Sequence, residues 1–360
     1  MVSKELEKPR PTWILVRGQY DKHGPEVGPG VPGVLPPLPA SEATNRLTFA
    51  RWLVEPGHPL TARVTVNRFW QHFFGTGIVK TAEDFGTKGE WPSHPELLDW
   101  LATEFTKSGW DVKHMVRLMV TSAAYRQDSR VTPQLRDLDP ENRLLAHGPR
   151  HRLDAEELRD YALDVSGLLN PAIGGRGVRS YQPSGIWEAV GYTTSNTAKY
   201  TQDHGDALYR RSLYIFWKRT AAPPEMTTFD APSREKCWAR RERTNTPLQA
   251  LLTMNDPQYF EAARQLGYRL LREGGSKDAD RLRYGFRMVT ARAPTEQETA
   301  ILEETLASQR ARYDSQPDAA KKLLSVGESP VPTDVTAPEL AAYTMMANLL
   351  LNLDESVTLN

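Results

Sequence analysis

The chain has 360 residues with 45 basic against 45 acidic side chains, 39% apolar and 25% charged, a composition that fits a folded protein with a sizeable core and argues against disorder. Zero formal charge runs against a nucleic-acid-binding role, and no stretch reaches the roughly 18 consecutive apolar residues of a membrane span. A single cysteine, Cys237, excludes an internal disulfide, a Cys-pair zinc site and Cys-x-x-Cys-His haem attachment.

The N-terminal "MVSKELEKPRPT" has no apolar core, so no signal peptide is expected in this sequence. "PTWILVRGQY" (11–20) has the β-branched and aromatic content of a strand, whose backbone groups need a partner; "SLYIFW", within the strand-like "RRSLYIFWKRT" (210–220), is the expected one. "GPEVGPGVPGVLPPLPA" (24–40) follows, with Pro36, Pro37 and Pro39 favouring extended polyproline geometry. Residues 1–40 therefore read as an N-terminal strand and a Pro/Gly-rich arm.

From 41 to 353 the pattern predicts a single large helical domain, with lobes at roughly 41–170 and 205–353 joined by a loop-rich 171–204. "LTARVTVNRFWQHFFGTG" sets Val66, Phe69, Trp70 and Phe73 on one helical face. "SHPELLDWLATEF" opens with a Ser93/Glu96 capping box and aligns Leu97, Leu98, Leu101 and Phe105. In "WDVKHMVRLMVTSAAYRQ", Asp111 is the expected cap, Trp110 and Met115 are spaced for a staple, and the stripe runs from Val112 to Ala123. Further starts fall at Asp154/Glu157, Thr246-Pro247, Asp256-Pro257, Thr295/Glu298 and Thr336/Glu339. "IGGRGVR" lacks the Gly-Lys-Ser/Thr ending of a P-loop and reads as a mobile loop. The fold class expected is mainly α, a multi-helix body in two lobes with a small β element.

Candidate chemistry centres on "RRERTNTPLQALLTMNDP" (240–257) and the residues before it. Arg234, Arg240, Arg241 and Arg243, with Asn245 and Asn255, offer guanidinium forks and amides suited to an anionic ligand. The same arginines could instead pair with local carboxylates and pin a long loop. Asn67, Arg68 and His72 on the "NRFWQHFF" helix are further ligand-binding candidates. Glu83, Asp84, Asp230 and Glu235 are the carboxylates available for acid–base chemistry, and the arginine run is expected to fold onto that helix against Asp230, Glu83 and Asp84. His147-x-x-x-His151 has ligand spacing but is interrupted by Gly148-Pro149 and lacks a third ligand, so no metal and no cofactor is expected. In the 171–205 loop, Tyr181, Trp187, Tyr192 and Tyr200 suit either carbohydrate binding or packing under the loop.

Taken together, "PRPTWILVRGQYDKHGPEVGPGVPGVLPPLP" (9–39), "RLTFARWLVEPGHPLTARVTVNRFWQHFFGTGIV" (46–79), "EDFG" (83–86), "PSHPELLDWLATEF" (92–105), "AYRQDS" (124–129), "DPENRLLAHGPRHRLDAEELRD" (139–160) and "FDAPSREKCWARRERTNTPLQALLTMNDP" (229–257) carry a resemblance. The chain resembles a planctomycete-specific C-terminal domain of unknown function, found in exported proteins beside planctomycete cytochrome-c-like domains. That resemblance implies a periplasmic or exported setting and an upstream cytochrome-c-like domain or protein as partner. It carries no haem motif into this sequence and no catalytic residues. The expected role is a binding or assembly module in a periplasmic system handling complex polysaccharide, with an anionic glycan as a further partner. A glycan-active hydrolase or lyase with a carboxylate/arginine cleft is the alternative, and a scaffold without a small ligand is the third reading.

Overall fold

Capping chemistry written in the sequence sets most helix starts in the computed structural model, which describes residues 4, 6, 10–39, 44–191 and 193–359. The mainly helical class holds: among the described residues there are fifteen α-helices and two small two-stranded sheets. Contacts divide the chain into Met1–Pro149 and Arg150–Asn360, a division at 149/150 that leaves the 171–204 stretch inside the second unit.

In the first unit, β1 (Trp13–Leu15) pairs antiparallel with β2 (His23–Glu26), placing Trp13 opposite Glu26 and stacking the Trp13 and His23 rings 4.2 Å apart. This corrects the expected pairing with "SLYIFW". Arg17 (φ 51°) and Gly18 (φ 73°) adopt left-handed conformations that turn the chain back locally, and so short a loop closes at little entropic cost. Helices α1 (Arg46–Leu53), α2 (Thr61–Phe74), α3 (Pro95–Lys107), α4 (Val112–Val120) and α5 (Pro133–Leu138) follow. The core joins Val66 and Trp70 of α2 to Leu98, Leu101 and Phe105 of α3 and Met115 and Met119 of α4. Asp111 caps α4 by accepting from the His114 N–H at 3.0 Å. The Ser93/Glu96 box does not form: Pro95 takes the first turn after His94, and the Ser93 hydroxyl turns to the Ile78 carbonyl. The α4 stripe is shorter than expected, because the helix stops at Val120 and Val112 stays exposed. Trp110 packs edge-on against Phe105, 5.0 Å away.

The second unit opens with β3 (His151–Arg152), which pairs antiparallel with β4 (Thr358–Leu359). Between them run α6 (Ala155–Ser166), α7 (Ile186–Val190), α8 (Pro224–Thr228), α9 (Pro247–Asn255), α10 (Pro257–Glu273), α11 (Asp278–Thr290), α12 (Glu296–Ser315), α13 (Pro317–Leu324), α14 (Ala337–Leu351) and α15 (Asp354–Val357). Helix α14, "APELAAYTMMANLLL", is apolar on nearly every side and so lies at the centre, packed by α10, α12 and α13. Gly267 lets α10 cross it closely, since a Cβ there would sit 2.8 Å from the Tyr343 carbonyl oxygen. Capping boxes form at Asp154/Glu157, Thr246/Gln249 and Thr295/Glu298. At Thr336 none forms, because Glu339 is drawn to the Arg310 guanidinium at 2.6 and 2.8 Å.

Two further expectations are corrected in this unit. Residues 210–220 are not a strand: Ser212–Tyr214 is a 3-10 turn, and the segment's β pairing among the described residues is two isolated parallel bridges, Asn170 with Arg210 and Val178 with Ile215. The glycine-rich run is tied down, not loose. Arg210, stacked 3.9 Å over Tyr214, donates to the carbonyls of Ala172, Gly174 and Arg176. Trp187 is buried with Tyr200 edge-on at 5.0 Å, and Tyr181 donates to Glu261, so these rings pack inside. Tyr192 lies outside the described residues.

Candidate functional site

The 230–246 loop is built from its carboxylate upward. Asp230 sits in a left-handed conformation (φ 60°) and accepts from the Thr244 N–H at 2.7 Å and from the Arg152 guanidinium at 2.5 Å. Arg152 also donates to Gln249 at 2.6 Å and lies over the Phe229 ring, while Gln249 donates to the Thr228 carbonyl. Burial by itself would raise the Asp230 carboxyl, but the Thr244 and Arg152 donors outweigh it and hold the group below the usual carboxylate range. Asp230 is thus a fixed anion that closes the base of the loop.

The arginines above it are met by the first turn of α6. Arg241 grips Glu156 with both guanidinium nitrogens, at 2.6 and 3.1 Å, and stands 3.4 Å from Asp154. Arg243 lies 3.6 Å from Asp154, and Arg234 stacks 4.2 Å over Trp217. Arg240 and Glu235 are exposed, and Arg240 makes no ion pair among the described residues. The acids placed among these arginines are therefore Asp154 and Glu156, not Glu83 and Asp84. A helix first turn favours carboxylates, and these two neutralise guanidinium groups a short way across the same unit.

The remaining candidates have contacts of their own. Asn67 is fully buried and spends its amide on both backbone groups of Val79, at 2.8 and 3.0 Å. Arg68 and His72 are exposed on α2, with the His72 ring edge-on to Phe73. Asp84 accepts from the Gly86 N–H at 2.7 Å, and Glu83 is exposed beside it. Asn245 is exposed, and Asn255 donates back to the Leu251 carbonyl of its own helix.

A second polar cluster escaped the sequence reading. Arg159, fully buried on α6, donates to Gln258, to the carbonyls of Leu208 and Arg210, and to the Ser212 hydroxyl. Near it lies Glu225 of α8, which burial pushes up to about 7, with Asp256 also raised by burial. The signal for the first cluster was present in "GPRHRLDAEELRD", where a charged run opens a helix. For Arg159 and Glu225 there was none, because nothing in a charged residue's neighbours announces that it will be buried.

Asp230 is held by Arg152 and Thr244 while Glu235 is exposed, and Arg241 and Arg243 are committed to the acids of α6. Among the described residues no group of three or more His, Cys, Asp or Glu is arranged to hold a metal, and no helix is long and apolar enough to cross a membrane. These observations describe a mainly helical protein with an internally clamped, arginine-rich loop. The chain belongs to the PSD1 family, proteins of unknown function (DUF1553), which it matches over residues 45–306. No curated protein and no solved structure matches it.

Proposed function

We propose that the chain is a binding or assembly module of an exported, periplasmic system of the planctomycete type it resembles, docking an upstream cytochrome-c-like domain or protein. One observation carries this reading. Helix α9 leaves Leu248, Leu251 and Met254 exposed by 60, 56 and 45% at successive i, i+3 positions, and Trp238 of the preceding loop is 53% exposed. Large apolar side chains grouped on one helix face are the mark of an interaction surface. The clamp below them keeps the loop rigid, so docking there orders little new chain. Arg240 and Arg234 are the guanidinium groups best placed for an anionic glycan in a system that handles complex polysaccharide.

Titration calorimetry of the full chain with the neighbouring cytochrome-c-like domain tests the reading. Leu251→Glu should weaken a saturable interaction at least tenfold while leaving the fold intact; unaltered binding would reject the surface. The glycan-active enzyme alternative draws on a different observation, the near-neutral Glu225 carboxyl beside Arg159 and Asp256. That reading requires glycan turnover by the wild-type chain and its loss in Glu225→Gln.

A further inference from the structure

The first unit holds an aromatic cluster separate from the α9 face. On α1 the buried Trp52 ring is flanked by Phe49, stacked at 5.6 Å, and by His58, edge-on at 4.5 Å. Across this aromatic shelf lies the arm segment "LPPLP" (35–39). The Trp52 indole N–H donates to the Pro36 carbonyl at 2.8 Å. Leu35 and Leu38, one polyproline turn apart, are half-buried, whereas Val34, Pro37 and Pro39 face outward.

We propose that this shelf is a receptor for proline-rich extended segments, and that residues 35–39 are its resident, exchangeable ligand. The chemistry matches the general mode by which aromatic grooves read polyproline: flat rings for the ridge and an indole donor for a carbonyl. Pro36, Pro37 and Pro39 have no N–H, so this stretch cannot be stitched into a sheet and can leave without breaking a ladder. The shelf is also larger than its occupant. Leu47, Phe49 and Val54 remain exposed on α1. Leu38 and Phe49 also line an open cavity of about 690 Å³ with Thr12, Val27 and Asn45. A segment from another protein, longer than the resident ridge, would fill that space.

The test uses a fluorescein-labelled peptide of residues 31–39, VPGVLPPLP, titrated into the full chain and followed by anisotropy. A tethered arm competes at an effective concentration on the order of mM. The double variant Leu35→Ser, Leu38→Ser should therefore bind the peptide at least tenfold more tightly than wild type. Adding Trp52→Phe should remove most of that gain, and a peptide with its prolines replaced by serine should not bind. A folded double variant that binds no better than wild type, or one that binds the serine peptide equally, overturns the proposal. The unmodified chain gives a second readout that does not depend on the variants folding. A nitroxide-labelled copy of the peptide at millimolar concentration should broaden the Trp52 indole N–H resonance, and an unbroadened Trp52 signal would equally overturn it.

Discussion

Arg240 and Arg241 are adjacent, carry the same charge and differ only in what they touch, so replacing each by alanine isolates the clamp. Arg241 makes a two-pronged bond to Glu156 at 2.6 and 3.1 Å, with its side chain 33% exposed, whereas Arg240 is exposed and makes no ion pair among the described residues. A fully exposed ion pair is worth about 0–1 kcal/mol, and breaking a buried one costs about 3–5 kcal/mol. One-third exposure places Arg241 between these limits. The Glu156 left behind would sit in the first turn of α6, where the helix dipole returns about 0.5 kcal/mol. Arg241→Ala should therefore lose about 1–2 kcal/mol and Arg240→Ala less than about 0.5 kcal/mol. Urea unfolding followed by circular dichroism measures both, and 1 M salt should narrow the gap because the pair is partly screened. Equal stability of the two variants would show that the arginine run is a solvated face and that the clamp does not exist.

Arg159→Met should cost about 3–5 kcal/mol, since the Leu208 and Arg210 carbonyls and Gln258 lose their buried donor; a loss under about 1 kcal/mol in the same assay would contradict the network. Glu225 is raised from 4.5 to about 7 in the fold, so the folded chain holds a proton that the unfolded chain has released. Stability from this group is complete below pH 4.5 and is lost as pH rises through 7, by about 3 kcal/mol in all. Chemical denaturation of Glu225→Gln between pH 5 and 8 should lack that decline, and parallel profiles would disprove it. Asn67→Ala should cost about 2–4 kcal/mol in a thermal or urea melt, because both Val79 backbone groups are left unpaired in the core; a melt like wild type would refute that role.

What could be read in the sequence was what is decided locally. Asp111, Asp154, Thr246, Asp256 and Thr295 mark their helices because a cap acts within one turn. The apolar period of α2 and α3 identifies Val66, Trp70, Leu98 and Phe105 as core. Hidden were decisions made at a distance. The 210–220 run has strand-forming residues, yet Arg210 and Tyr214 are committed to holding the 172–176 loop, and the pairing stops at isolated bridges from Arg210 and Ile215. Glu339 fits a capping box by spacing but finds a stronger partner in Arg310. At the loop itself, the arginines and Asp230 were visible in the sequence, whereas Asp154 and Glu156 of the first turn of α6, which pair with Arg241, were not among the expected acids. "HRLDAEEL" and "RRERTN" lie far apart in sequence, and the packing of α8 and α10 against both α6 and α9 brings them together.

Docking through the exposed face of α9, proposed above, is tested by hydrogen–deuterium exchange of the full chain with and without the cytochrome-c-like domain. Slowed exchange is expected across residues 238–255, absent in Leu251→Glu, with the amides around Glu225 and Arg159 unchanged. Protection confined to other segments, or none at saturating partner, would contradict it.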